Sequence, residues 1–226
     1  MVGGDVLLEL ESLGSEQTRK IYKRHGVGEP LYGVSYANLK SLAKRIKIDH
    51  ALALALWESG NHDARVLATM IADPGQMTES LLDDWAGDLA CYPLTDAFVG
   101  LGARTPYARS KMEEWTQSDE EYIGAAGWQL LAGLAAHDMS FPDSYFEHYL
   151  GIIEHDIDTR KNRVRYSMNA AVITIGIRNP ALQEKAIGVA RKIRHVKVDH
   201  GETNCKSPDA EAYILKTLAW RRKKGA

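Results

Sequence analysis

The stretch that decides the fold is Asn162-Arg163-Val164-Arg165-Tyr166-Ser167-Met168-Asn169-Ala170-Ala171-Val172-Ile173-Thr174-Ile175-Gly176-Ile177. Within it, Val172-Ile173-Thr174-Ile175 is prone to form a strand. The surrounding residues keep a helical period from Asn162 to Ile177, so the run is predicted to be the buried part of a helix. With that segment helical, almost no alternating strand pattern is left in the chain. Outward from it the helical period recurs. Leu39, Leu42, Ala43 and Ile46 share a face, as do Ala64, Leu67, Ala68 and Ile71, and Ile123, Ala126, Gly127, Leu130, Leu131 and Leu134. Breaks fall at Gly60-Asn61, Asp73-Pro74-Gly75, Tyr92-Pro93, Thr105-Pro106, Phe141-Pro142 and Asn179-Pro180. Several place proline near a helix start, where its missing N–H costs nothing. The expectation is about ten to twelve helices of roughly 10–18 residues joined by short turns. Their succession predicts an all-α, HEAT-like helical-repeat α-solenoid with a concave basic face, in one domain spanning residues 1–226. A compact helix bundle is the rival arrangement. Ser118-Asp119-Glu120-Glu121 reads as a capping box.

The 226 residues suffice for a sizeable core. Cys91 and Cys205 form no C-x-x-C pair and suit a reducing compartment. Met1 to Leu10 has no basic leader, and runs such as Ala51 to Trp57 are too short to span a bilayer. A cytoplasmic protein is expected. The net charge of −2 conceals a division along the chain. Residues 1–159 carry 12 Lys+Arg against 25 Asp+Glu, a net of −13, whereas residues 160–226 carry 16 against 5, a net of +11. A basic C-terminal third points to a polyanionic partner, nucleic acid first, unless the two parts neutralise each other in the fold.

Leu31-Tyr32-Gly33-Val34, followed by Leu39-Lys40 and Leu42-Ala43-Lys44, resembles the glycine turn and basic helix of the DNA alkylation repair proteins, the AlkD-like family. Leu56-Trp57 through Asp63-Ala64-Arg65 is similar to that family's leucine-tryptophan helix junction. Cys91-Tyr92-Pro93-Leu94-Thr95-Asp96-Ala97-Phe98 is similar to its "tryptophan, three residues, aspartate" motif, with Tyr92 at the aromatic position. The resemblance covers roughly residues 20–180. It implies a HEAT-like solenoid holding double-stranded DNA, and family members that excise cationic alkylated purines. It further implies Asp96 and Tyr92 as the catalytic pair: the carboxylate would stabilise oxocarbenium character at the sugar, and the aromatic ring would face the nucleotide. A cationic base departs without a general acid, so one carboxylate can suffice. Read without the resemblance, Asp96 is a carboxylate near a helix N-terminus, and Tyr92 a core aromatic at a helix junction.

Two positions depart from the family pattern. Active members place an arginine in the helix matching Tyr122–Leu134, where this chain has Ala125 and no Lys or Arg. They also carry a second tryptophan near Ala171, and the segment from Arg163 to Ile177 has none. These departures weigh toward a non-catalytic protein that recognises damaged or branched DNA. A protein-binding solenoid scaffold is the third possibility.

Two basic clusters are the expected phosphate contacts: Arg160, Lys161, Arg163 and Arg165, then Arg191, Lys192, Arg194 and Lys197. Arg221 to Lys224 reads as a solvated terminus. The segment 198–209 is predicted to be an irregular loop before the final helix, with Ser207 as N-cap and Pro208 at the first helical position. Its Asp199, His200, Glu202 and Cys205 meet no zinc spacing, so neither metal nor cofactor is expected. His25, His50, His62, His137, His148 and His155 read as surface residues. The chain is expected to be monomeric.

Overall fold

The computed structural model describes residues 3–224. Among these, thirteen α-helices and no strand are present; one isolated antiparallel bridge joins Gly14 and Val34. The helices fall into two compact units. The first runs to Ala108 and contains α1 (Gly3–Leu13), α2 (Glu16–Arg24), α3 (Tyr36–Ile46), α4 (His50–Glu58), α5 (His62–Ile71), α6 (Glu79–Gly87) and α7 (Tyr92–Gly102). It also takes in His200–Thr203 from far along the chain. The second contains α8 (Ala108–Trp115, from Arg109 onward), α9 (Glu121–His137), α10 (Asp143–Asp156), α11 (Asn162–Gly176), α12 (Pro180–Ile193) and α13 (Ala210–Lys224). The count exceeds the sequence expectation because α2, α4, α6 and α8 are shorter than 10 residues.

In the first unit α5 is central. It packs against α3, α4 and α7, and eight of its ten residues are buried. A helix buried nearly all round marks the core of its layer. Ser15, Ser35, Asp49, Asn61 and Thr78 each accept a backbone N–H at the start of α2 to α6, so five successive helices begin on side-chain caps.

In the second unit α11 is central, against α9, α12 and α13. The helix predicted for 162–177 is present, and Val172, Ile173 and Ile175 are buried in it. Small residues make room for it. Gly124 on α9 lies where a Cβ would stand 3.1 Å from Val164 Cγ2. Gly127 serves the end of α8 instead: a Cβ there would lie 2.5 Å from the Thr116 nitrogen and 2.6 Å from the Trp115 carbonyl carbon.

Two capping expectations are corrected. α9 begins two residues later than a capping box requires: its N-cap is Glu120, whose side chain makes no cap bond. Ser118 Oγ instead accepts from the Glu120 N–H at 3.1 Å. Glu121 turns to another helix and accepts the Arg163 N–H at 2.7 Å, serving the α11 N-terminus, which has no side-chain cap of its own. At α13 the cap is Asp209 rather than Ser207, its carboxylate accepting the Ala212 N–H at 2.8 Å.

Candidate functional site

The glycine turn and the junction motif are joined by one buried carboxylate. Asp63, wholly buried at the start of α5, accepts the N–H groups of Tyr32, Gly33 and Val34 at 2.7, 3.0 and 2.8 Å. Gly33 holds φ +81°, and a Cβ there would stand 2.5 Å from Arg19 Cγ. Three charge-assisted bonds compensate an anion that burial alone would expel. Arg65 likewise serves the frame. Its guanidinium meets the Asp88 carboxylate at 2.9 Å and the Trp57 carbonyl at 3.2 Å, and lies 5.2 Å from the centre of the Trp57 ring. The Trp57 indole N–H donates to the same Asp88 oxygen at 2.8 Å, and its ring stacks on Trp85 at 3.9 Å. These motif residues therefore tie α4, α5 and α6 together.

The frame carries the start of α7, where Tyr92 and Asp96 stand one turn apart on one helix face. Asp96 is exposed and Tyr92 half-buried. The Tyr92 hydroxyl shares a hydrogen bond with His25 Nδ1, and the two rings meet edge-on at 5.7 Å. Preceding Tyr92, buried Cys91 places Sγ 3.8 Å from His62 Nδ1. His62 packs edge-on against Tyr22 at 5.5 Å, and the Tyr22 hydroxyl donates to the Val34 carbonyl at 2.8 Å.

Cys91, His62 and Tyr22 are held uncharged. Burial pushes the Cys91 thiol up, and the nearby Asp96 charge adds to this. Burial depresses His62, and only partly does Asp63 oppose it. Tyr22 is pushed up to about 12, by burial first and then by the Asp63 charge. A neutral layer thus adjoins the exposed carboxylate. His62 is therefore a core residue and not the surface residue expected, because α2, α5 and α7 converge on it. His25 is half-buried and engaged. Beside it, a Cβ on Gly201 would lie 3.2 Å from the Arg24 carbonyl oxygen, so the late loop reaches the C-terminal end of α2.

The expected phosphate contacts divide into bound and unbound cations. Arg160 is turned inward: its guanidinium donates to the Thr116 and Ser118 carbonyls at 3.1 and 2.9 Å, leaving the side chain 19% exposed. Arg163 and Arg165 are half-buried, and Arg165 Nε is buried without a hydrogen-bond partner. Arg191 pairs with Glu211 on α13 at 2.7 Å, and Lys192 with Glu154 on α10 at 2.6 Å. Lys161, Arg194 and Lys197 are exposed and make no ion pair among the described residues. Ala125 and Ala171, at the two positions that depart from the family pattern, are buried, so neither methyl group is presented at the surface. α11 does expose an aromatic, Tyr166, one turn beyond Arg163, which a search for tryptophan passes over. α3 likewise presents Tyr36 with the Lys40 ammonium 4.9 Å from its ring centre. Among the described residues no cluster of three or more His, Cys, Asp or Glu could hold a metal ion, and no helix is long and apolar enough to cross a membrane.

Thirteen short helices in succession among the described residues, with a buried carboxylate bracing the turn between α2 and α3, define a HEAT-like helical-repeat protein of the all-α class. The chain belongs to the family described as DNA alkylation repair enzyme, whose model matches residues 6–212. It is 32% identical over 214 residues to the uncharacterized protein Lin0241 of Listeria innocua, covering 92% of this chain and 93% of that one. To the uncharacterized protein Lmo0209 of Listeria monocytogenes it is 33% identical, with the same coverage. Among solved structures it is similar, with TM-score 0.89 and 33% identity, to a chain described under "a new family of proteins related to the HEAT-like repeat DNA glycosylases with affinity for branched DNA structures". That match covers 98% of this chain and 96% of the other.

Proposed function

We propose that this protein binds branched double-stranded DNA through its exposed cations and does so without excising a base. The observation that carries this reading is the full-length likeness to the chain whose family has affinity for branched DNA. Two features of the molecule support it. Lys161, Arg194 and Lys197 leave their charges to solvent, as phosphate contacts require. In addition, the positions where an excising relative would present arginine and tryptophan are buried alanines. The test is fluorescence anisotropy on a four-way junction and on a linear duplex of the same sequence, over a range of salt. The junction should bind at least about tenfold more tightly, and the logarithm of each affinity should fall linearly with log salt. Equal affinity for the two, or none for either, refutes the reading.

One observation favours hydrolysis of the N-glycosidic bond as a second reading: Asp96 is exposed one turn from an aromatic that His25 holds in place. A carboxylate so placed can stabilise a developing sugar cation, and a cationic alkylpurine leaves without protonation. Alkylated duplex should then release free methylpurine, and Asp96→Asn should abolish release while leaving junction affinity unchanged. Absence of release from the wild type removes this reading and leaves the first intact.

A further inference from the structure

Helix α13 has one face packed and one bare. Ala210 and Ile214 are buried against the second unit, where Ile214 Cδ1 would meet a Cβ on Gly176 at 2.6 Å. The Arg191–Glu211 pair and the Arg221 guanidinium, which donates to the Ile177 carbonyl at 2.9 Å, hold the helix down along that side. The other face carries large aromatic surface. Trp220 is 58% exposed and Tyr213 50% exposed, whereas Trp57, Trp85, Trp115 and Trp128 are all buried. Seven residues separate Tyr213 from Trp220, so the rings lie on the same side of the helix about 10 Å apart along its axis. Each is followed three residues later by an exposed lysine, Lys216 and Lys223. The Lys224 ammonium lies 5.4 Å from the centre of the Trp220 ring.

An exposed tryptophan loses the solvation benefit of burial, and a second aromatic in register makes an accident of packing a poor account. A partner that covers this face must offer flat π surfaces to the rings and negative charge to the lysines, in alternation along a line. A polypeptide would meet both demands only by interleaving aromatic and acidic side chains at this one spacing. Unpaired nucleotides meet both, since every base has a π face and every linkage a phosphate. We infer that α13 is a stacking platform for a single-stranded DNA segment, with Tyr213 and Trp220 under the bases and Lys216, Lys223 and Lys224 along the backbone. The inference deepens the proposed reading and rests on it: at a branch, the duplex arms would engage the exposed cations and an unpaired strand would run over α13.

The test uses the full chain. Because Trp220 is the one exposed tryptophan among the described residues, oligo-dT should quench the solvent-exposed part of the fluorescence, and Trp220→Phe should remove that signal. Binding is then compared on a junction with a single-stranded dT arm and on the same junction fully paired. The double variant Tyr213→Ala, Trp220→Ala should lose at least about tenfold in affinity for the armed junction and nothing for the paired one. The pair Tyr213→Phe, Trp220→Phe should restore most of the loss. Both replaced rings are exposed, and an unchanged unfolding midpoint confirms that the fold is intact. Unchanged affinity for the armed junction, or an equal loss on both junctions, overturns the inference and spares the branched-DNA reading. Conversely, a wild type that fails to bind the paired junction yet binds the armed one and is quenched by oligo-dT overturns that reading and spares the platform. A double variant whose sedimentation changes while DNA affinity does not assigns the face to a second copy of this chain and also overturns the inference.

Discussion

Asp63 shows how much of this fold hangs on single buried groups. Its two oxygens take three amide hydrogens, an arrangement that only a carboxylate can supply from that position. Asp63→Ala would leave those amides buried without acceptors and should destabilise the first unit by at least about 3 kcal/mol. Asp63→Asn, which turns one acceptor into a donor, should fall between that variant and wild type. Denaturant midpoints measure both, with unchanged slopes as the check on two-state behaviour. His62 carries the pH prediction. Its ordinary value is 6.5, and burial lowers it in the folded protein. The unfolded chain therefore binds a proton that the folded one refuses, and stability falls as pH drops below about 6.5. Glu29, Glu113 and Asp138 are held low by partners, so their contributions are lost only in more acid solution. His155, raised by its bond to Asp156, acts in the opposite direction at the surface. The unfolding midpoint should accordingly drop between pH 7.5 and 5.5 more in His155→Gln than in the double variant His62→Gln, His155→Gln. Parallel pH profiles for the two would refute the assignment.

At the scale of helices, the approach of α9 to the end of α8 depends on an absent methyl group. Gly127→Ala would force a Cβ against backbone atoms at 2.5 and 2.6 Å, and backbone cannot rotate aside as a flexible side chain can. The expected cost is about 1–3 kcal/mol, read as a lower thermal midpoint, whereas Gly133→Ala, with open space around it, should be neutral or stabilising. The packing of α9 on α11 also shows what the bare sequence discloses. The helix over Asn162–Gly176 is legible because its period outlasts the four strand-prone residues inside it. The beginning of α9 is misread because Ser118 and Glu121 have the spacing of a capping box while Glu121 is committed to α11, and no local pattern reports a partner 42 residues away. The same limit hides His62, whose burial requires α2, α5 and α7 to converge. Asp96 and Tyr92 are legible as a motif on α7, yet the hydrogen bond from His25 spans 67 residues and belongs to tertiary structure alone.

For the molecule as a whole, the net of +11 over residues 160–226 overstates the charge available to a polyanion. Arg160 serves backbone carbonyls, and Arg191 and Lys192 are paired with acids on α13 and α10. Replacing Lys161 and Lys197 by glutamine should lower the slope of log affinity against log salt by about 0.9 each and leave stability unchanged. Arg160→Gln should do the reverse, lowering the unfolding midpoint with little effect on the slope. A slope that responds to Arg160 and not to Lys161 would move the DNA surface elsewhere. The membership of His200–Thr203 in the first unit has a consequence for how the protein is made. A ribosome releases α1 to α7 early, and they can collapse together while the rest is still being translated. The contact of the late loop with the end of α2 must wait until Gly201 has emerged. The helices α1 to α7 are thus finished only after α8 to α12 have been made, and the neighbourhood of His25 is completed by residues that follow it by more than 170 positions.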